Sequence, residues 1–202
     1  MAFPCSGIIL SGGRNSRLSG KNKSFIQIGG KSIFERLYEL YIELFDEIIV
    51  VSNDPLEYLK WDVQVVADLF SYRSSLTGLH AGLFSTQKPF AFVCAGDAPF
   101  LKKELVKTIL AQIDNRSQVV IPKTPEGFFE PLCAVYAKTC VGLVEAQLTR
   151  KKFKISNLFG LVRIKTIAPE ILMSNDPELI SFFNVNTPED IIKAESIQTQ
   201  IV

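Results

Sequence analysis

A segment rich in glycine, serine and basic residues follows the first apolar run of the chain. Residues 10–23 read LSGGRNSRLSGKNK, and the backbone N–H groups at Gly12 and Gly13 can approach a ligand closely because no Cβ intervenes. Arg17 and Lys23 add cationic donors of the kind that bind a polyphosphate. The spacing fits neither the P-loop pattern GxxxxGK[ST] nor GxGxxG. The segment therefore indicates either a phosphate-binding loop or an ordinary solvated basic loop.

Polar side chains also follow several of the later apolar runs. Asp97 is either the N-cap of the next helix or a ligand of Mg²⁺, which prefers one or two carboxylates together with phosphate oxygens. Asp68 is either a turn residue or part of a site, and Asn53 ends a run of IIVV type. Near the end of the chain, Asn184 and Asn186 are candidates for a substrate or metal site, with a turn before a helix as the alternative for Asn186. Ligands of open α/β sheets bind beyond the carboxyl ends of the strands, so we expect these residues to share one edge.

The elements that must position these residues alternate along the chain. Ser32 and Glu35 form a predicted capping box at the first helix, and Thr187 with Pro188 predicts the start of the last one. Strands that alternate with helices predict an α/β fold with a mostly parallel sheet covered on both faces. No repeat or linker divides the chain, so we expect a single domain over residues 1–202. The predicted strands are residues 5–10, 25–28, 47–52, 63–67, 90–95, 118–121, 131–136 and 162–167, and the other predicted helices are 76–85, 102–113 and 138–148.

Composition excludes several classes of protein. The net charge is +1, whereas a protein that wraps nucleic acid normally has a basic excess, so we expect no nucleic-acid partner. No apolar stretch is long enough to span a membrane, and residues 1–10 do not resemble a signal peptide, so a cytoplasmic protein without a membrane partner is expected. His80 is the only histidine, which rules out a His-rich metal site. The four cysteines lack CxxC spacing and are expected to be buried thiols: Cys5, Cys94, Cys133 and Cys140.

The order of these motifs resembles a known family. The segment at 10–23 is similar to the LAGGxxxRMGxxK signature of nucleotidyltransferases with GT-A-like, Rossmann-type α/β/α architecture, and in particular of molybdenum cofactor guanylyltransferases. Residues 130–136 resemble the element PLxAxY, residues 94–100 resemble CxxDxPF, and residues 184–190 read NVNTPED. The resemblance covers about residues 7–192. It differs from the family at residues 74–78, SSLTG in place of GPLxG, and at Ala98, where a polar residue is frequent.

This resemblance implies a reaction and a set of roles. GTP and molybdopterin, or the molybdenum cofactor, would give the guanine dinucleotide and pyrophosphate, with Mg²⁺ as cofactor and with carrier or acceptor molybdoenzymes as further partners. The alternatives are another nucleotidyltransferase, using CTP or a sugar phosphate, and a non-catalytic nucleotide-binding protein on the same fold. Catalysis would fall to Lys23, Arg17 and Asp97, with Asp97 as the metal ligand. The nucleotide would be bound by Leu10, Ser11, Gly12, Gly13, Lys23, Asn53, Asp68 and Asp97.

Overall fold

The apolar runs of the sequence form the strands of a seven-stranded sheet. The computed structural model describes residues 4–12 and 22–201. A separate antiparallel pair is formed by β2 (Gln27–Ile28) and β3 (Lys31–Ser32). The strands of the large sheet are β1 (Cys5–Leu10), β4 (Ile48–Val51), β5 (Gln64–Val66), β6 (Phe90–Ala95), β7 (Val119–Pro122), β8 (Cys133–Ala137) and β9 (Ile164–Ile167).

The strand order is β5-β4-β1-β6-β8-β7-β9. Only β8 runs opposite to its neighbours β6 and β7, while the other pairs are parallel, which confirms the predicted mostly parallel sheet. Leu10 is in register with Val51 on one side and with Ala95 on the other. The chain segments that follow β1, β4 and β6 therefore emerge side by side at one edge.

Helices cover both faces of this sheet, as predicted for a three-layer α/β/α fold. The helices are α1 (Ile33–Ile42), α2 (Ser75–Ser85), α3 (Lys103–Leu110), α4 (Val141–Thr149), α5 (Pro169–Met173) and α6 (Pro188–Ile201). Because side chains alternate along a strand, Ile9 and Phe92 join one hydrophobic core with α1, α3, α5 and α6, while Ile8 and Val93 join a second core with α2 and α4.

Local capping signals in the sequence fix two helix starts. The Ser32 side chain accepts a bond from the N–H of Glu35, and the Glu35 carboxylate accepts one from the N–H of Ser32, which confirms the capping box. Thr187 and Asp190 exchange the equivalent pair of bonds at the start of α6.

One predicted strand is wrong in its first half. Residues 23–25 form a 3₁₀ helix, because the side chain of Asn22 accepts a bond from the N–H of Ser24 and caps a helical turn there. Only Gln27–Ile28 are extended and paired within the predicted strand 25–28.

All four cysteines are buried free thiols, as expected from their apolar surroundings. Burial raises the pKa of Cys5 to about 12 and that of Cys140 to about 11, so both stay protonated near neutral pH. Within residues 4–12 and 22–201, no helix has the length and apolar character needed to cross a lipid bilayer.

Candidate active site

A close contact between the ends of β1 and β6 creates the site. The N–H of Gly96 donates to the carbonyl of Leu10 over 2.9 Å, and the N–H of Ser11 donates to the carbonyl of Val51 over 2.9 Å. A Cβ added at Gly96 would lie 2.4 Å from Ser24 Oγ and 3.0 Å from the Leu10 carbonyl oxygen. A glycine is required here by the close approach, and it brings the following residue, Asp97, beside the end of β1.

A cavity of about 250 Å³ lies at this edge of the sheet, and six of the residues singled out in the sequence line it. Ser74, Ser75 and Gly78, at the start of α2, also line it. The six are Leu10, Ser11, Gly12, Lys23, Asp68 and Asp97. A larger cavity, of about 800 Å³, is lined by residues around Trp61 and contains none of these six, so the position of the smaller cavity at the strand ends makes it the better candidate.

Asp97 and Lys23 face each other in the cavity. Lys23 Nζ lies 3.8 Å from Asp97 Oδ2 and donates a hydrogen bond of 2.7 Å to Asn186 Oδ1. The N–H of Val185 donates to the Asp97 carbonyl over 2.9 Å, which holds the segment 184–186 beside Asp97. The side-chain N–H of Asn184 donates a hydrogen bond of 3.2 Å to the carbonyl of Phe182.

The carboxyl group of Asp97 is half-buried and has one ion-pair partner, Lys23, among the described residues. Its side chain is 21% exposed, and burial raises its pKa, with the Lys23 ammonium acting in the opposite direction. Helix α3 begins at Lys103 with Lys102 as its N-cap, so the expectation that Asp97 could cap the next helix is wrong. A carboxylate in this position fits a divalent cation that also takes phosphate oxygens.

Asn53 and Asp68 form a reciprocal pair across the ends of β4 and β5. Asn53 Nδ2 donates to Asp68 Oδ2 over 3.1 Å, and the N–H of Asp68 donates to Asn53 Oδ1 over 3.3 Å. Burial raises the pKa of Asp68, while the Asn53 amide and Arg73 act in the opposite direction. Only Asp68 lines the main cavity; Asn53 borders a smaller adjoining one, of about 40 Å³, together with Gly12 and Arg73.

Gly12 is not held in a conformation that only glycine adopts. Its φ lies outside the positive range in which Gly29 and Gly30 are found. Among the described residues, a Cβ at Gly12 would make ordinary van der Waals contact with the Val51 carbonyl oxygen at 3.7 Å and the Ser52 Cα at 4.0 Å, so the wall of the cavity leaves room for an alanine here. Gly13 and Arg17 lie outside the described residues.

The two departures from the family pattern have simple structural roles. Ser74 is the N-cap of α2, where its Oγ accepts a bond of 3.1 Å from the N–H of Thr77, so the altered segment 74–78 still starts a regular helix at the cavity. Ala98 is 4% exposed and packs in the hydrophobic core. Ala98 is not among the residues that line the cavity.

Several polar residues near the cavity were not predicted from the sequence. Tyr58 is buried and bonds to Ser11 and to Asn22, and Asn22 in turn bonds to Glu57. The only sequence signal for Asn22 is its position directly before Lys23, and Tyr58 has none.

The fold and the cavity together define a nucleotidyltransferase: Gly12, Lys23 and Asp97 meet in one cavity at the carboxyl edge of a Rossmann-like sheet. The chain belongs to the family described as the MobA-like NTP transferase domain, whose profile matches residues 7–159.

The names of individual proteins that are similar to this chain are consistent with this family. The chain is 40% identical over 191 residues to the molybdenum cofactor guanylyltransferase of Desulfosudis oleivorans, covering 95% of this chain and 94% of that one. It is 35% identical over 193 residues to the probable molybdenum cofactor guanylyltransferase of Natranaerobius thermophilus, covering 94% of each chain. The solved structure of molybdopterin-guanine dinucleotide biosynthesis protein A from Archaeoglobus fulgidus is 28% identical, with a TM-score of 0.82 over 96% of this chain and 99% of that one.

Proposed function

We propose that the chain transfers GMP from GTP to molybdopterin, or to the molybdenum cofactor, with release of pyrophosphate. The observation that carries this proposal is the meeting of Gly12, Lys23 and Asp97 in one cavity at the carboxyl edge of the sheet. The 40% identity to a relative named molybdenum cofactor guanylyltransferase supports the choice of substrates.

The reaction needs charge compensation more than proton transfer. An oxygen of the acceptor's terminal phosphate forms a bond to the α-phosphorus of GTP, while the bond from that phosphorus to the β-bridging oxygen breaks and pyrophosphate leaves. The attacking oxygen is already anionic, so no general base is required. Lys23 is the cation that we assign to the phosphates, together with Arg17.

Asp97 is the residue that would hold Mg²⁺, because its half-buried carboxylate lines the cavity and has no hydrogen-bonded cation partner among the described residues. When bound, the ion would neutralise charge on the phosphates and the leaving group. Asn186 would keep the Lys23 ammonium directed toward the cavity, since its side-chain oxygen accepts a bond from that group.

We assign the acceptor to the other half of the same edge. A second cavity, of about 420 Å³, lies beyond β7 and β9 and has Phe182, Phe183 and Glu130 in its wall. The chain passes from Phe183 in this wall to Val185, whose N–H donates to the carbonyl of Asp97 at the cavity proposed for the nucleotide. Aromatic walls suit a flat pterin ring.

Guanine is proposed as the base because Gly12 lines the cavity without a Cβ that would hinder the larger purine, and because backbone groups after Leu10 can pair with the polar edge of guanine. A CTP-using enzyme of the same class is the second candidate. Solved cytidylyltransferases share the fold, as shown by the 4-diphosphocytidyl-2C-methyl-D-erythritol synthase of Anaerococcus prevotii at 21% identity and a TM-score of 0.69 over 96% of each chain. We further propose that the chain works as one domain, in the reducing cytoplasm that its free thiols suit.

The test is pyrophosphate release with each of the four NTPs, Mg²⁺ and molybdopterin. We expect release with GTP, and none when molybdopterin is omitted. Release with CTP but not with GTP would show that the chain is a nucleotidyltransferase that transfers CMP and not GMP. No release with any NTP would contradict the proposal.

A further inference from the structure

Tyr58 places a single polar atom beneath the nucleotide cavity. It ends the 3₁₀ helix Pro55–Tyr58 and is 1% exposed. Its ring packs against Phe25, Phe34 and Trp61, with centroid distances of 5.3, 4.8 and 6.2 Å. The hydroxyl projects beyond this apolar cluster and reaches the end of β1.

The hydroxyl joins two residues that are distant in sequence. Tyr58 Oη lies 2.5 Å from Ser11 Oγ and accepts a hydrogen bond of 2.9 Å from Asn22 Nδ2. Because Asn22 is the donor in one bond, the Tyr58 proton is free to be donated to Ser11. Ser11 Oγ in turn lies 2.5 Å from Ser24 Oγ, and Asn22 Oδ1 accepts a bond of 3.1 Å from the N–H of Ser24.

Ser11 and Asn22 stand directly before two groups that we assign to the phosphates. Ser11 precedes Gly12, and Asn22 precedes Lys23. Lys23 is thus fixed on both sides, since Asn22 and Ser24 both belong to the hydrogen-bonded cluster. The residues next to Gly12 and Lys23 therefore belong to one hydrogen-bonded cluster, in which the Tyr58 hydroxyl bonds to both Ser11 and Asn22.

We propose that Tyr58 is a positioning residue, which sets the Gly12 backbone and the Lys23 ammonium at the spacing required by the phosphates of a nucleoside triphosphate. This inference rests on the proposed function. Tyr58 itself lies below the cavity and does not line it.

The test compares Tyr58→Phe with Tyr41→Phe. Tyr41 is an equally buried tyrosine, 0% exposed, whose hydroxyl donates to the Ile8 carbonyl over 3.3 Å, away from the loop ends. Both changes keep the ring. We expect Tyr58→Phe to weaken equilibrium binding of GTP about five- to tenfold, the effect of about one hydrogen bond, and to change guanosine binding less than about twofold. Tyr41→Phe should change neither.

A double-mutant cycle with Lys23→Ala tests whether Tyr58 affects GTP binding through the Lys23 ammonium. If Tyr58 acts by placing the Lys23 ammonium, removal of its hydroxyl should change GTP binding less than about twofold in the Lys23→Ala protein. Independent, additive losses would contradict that route. The role of Tyr58 would be overturned if Tyr58→Phe weakened GTP and guanosine binding equally, or if it bound GTP as tightly as Tyr41→Phe. Either result would leave the proposed function intact. A wild type that binds GTP no better than guanosine would overturn the proposed function as well.

Discussion

Replacement of Asp97 by asparagine is expected to lower activity and to raise stability at neutral pH. The side chain keeps its size but loses its charge. In the wild type this carboxylate is 21% exposed, and its ion-pair partner among residues 4–12 and 22–201, Lys23 Nζ, is 3.8 Å away, beyond hydrogen-bond distance. Turnover should fall about 100- to 1,000-fold, the usual effect of removing one preorganised electrostatic group.

The sign of the stability change follows from the pKa. Burial raises the pKa of Asp97 in the folded protein above the ordinary value of 3.8. The unfolded chain therefore loses this proton first as the pH rises, and folding stability falls between 3.8 and the folded-state pKa. Asp97→Asn removes that penalty, so its gain in melting temperature should be present at pH 7 and should vanish below the ordinary value.

Asp114 provides a matched control of opposite sign. It is exposed, and the backbone N–H groups of Ser117 and Arg116 lower its pKa to about 2. Its contribution to stability is present above the ordinary value of 3.8 and is lost as the pH falls toward 2. Asp114→Asn should therefore lower the melting temperature at pH 7 and leave pyrophosphate release unchanged.

Thermal melts of both variants across the acid range, together with pyrophosphate release at neutral pH, test this reasoning. An Asp97→Asn protein that is less stable than wild type at pH 7 would refute the account in which desolvation of the Asp97 carboxylate outweighs its attraction to Lys23. A folded Asp97→Asn protein with nearly normal turnover would refute the catalytic role.

Three further predictions concern the cavity wall. Lys23→Ala should weaken GTP binding about 10- to 100-fold and guanosine binding much less, as measured by calorimetry, because the ammonium acts on phosphate oxygens; equal losses would show that it only shapes the loop. Gly12→Ala should melt at the wild-type temperature, given the 3.7 Å clearance, and should narrow the preference for GTP over CTP in kcat/KM; an unchanged ratio would remove Gly12 from base selection. Gly96→Ala should lower the free energy of unfolding by about 1–3 kcal/mol in urea titration, because its Cβ would lie 2.4 Å from Ser24 Oγ. The control is Gly142→Ala on α4, where no atom of the described residues lies within 4 Å of the added Cβ, and the free energy of unfolding should rise by about 0.5–1 kcal/mol. A Gly96→Ala protein with an unchanged free energy of unfolding would contradict the close contact at Gly96.

The long buried strands were predictable because the sequence marks both of their ends. Strands β1 and β6 are continuous apolar runs, and both were predicted at their observed bounds, Cys5–Leu10 and Phe90–Ala95. Short elements lack such a signal. Helix α5 covers only Pro169–Met173, too few residues for an apolar period to emerge, and it was not predicted. The predicted helix 102–113 ends as an α-helix at Leu110, because Gln112 and Ile113 bond to carbonyls three residues back.

The candidate site was predictable to the extent that strand ends determine it. Asp68 and Asp97 follow strands, and parallel pairing brings them to the same cavity. Tyr58 and Gly96 could not be found in this way. The importance of Tyr58 depends on which residues its hydroxyl meets in the folded chain, and the need for glycine at 96 depends on the approach of Ser24.

The product formed in competition tests the central claim most directly. The wild-type protein would be incubated with molybdopterin, Mg²⁺ and an equimolar mixture of the four NTPs, and the dinucleotide identified by mass spectrometry. Guanylyl transfer predicts the guanine dinucleotide as the main product, with one pyrophosphate released for each molecule formed. A cytosine dinucleotide as the main product, or consumption of GTP without a dinucleotide, would contradict it.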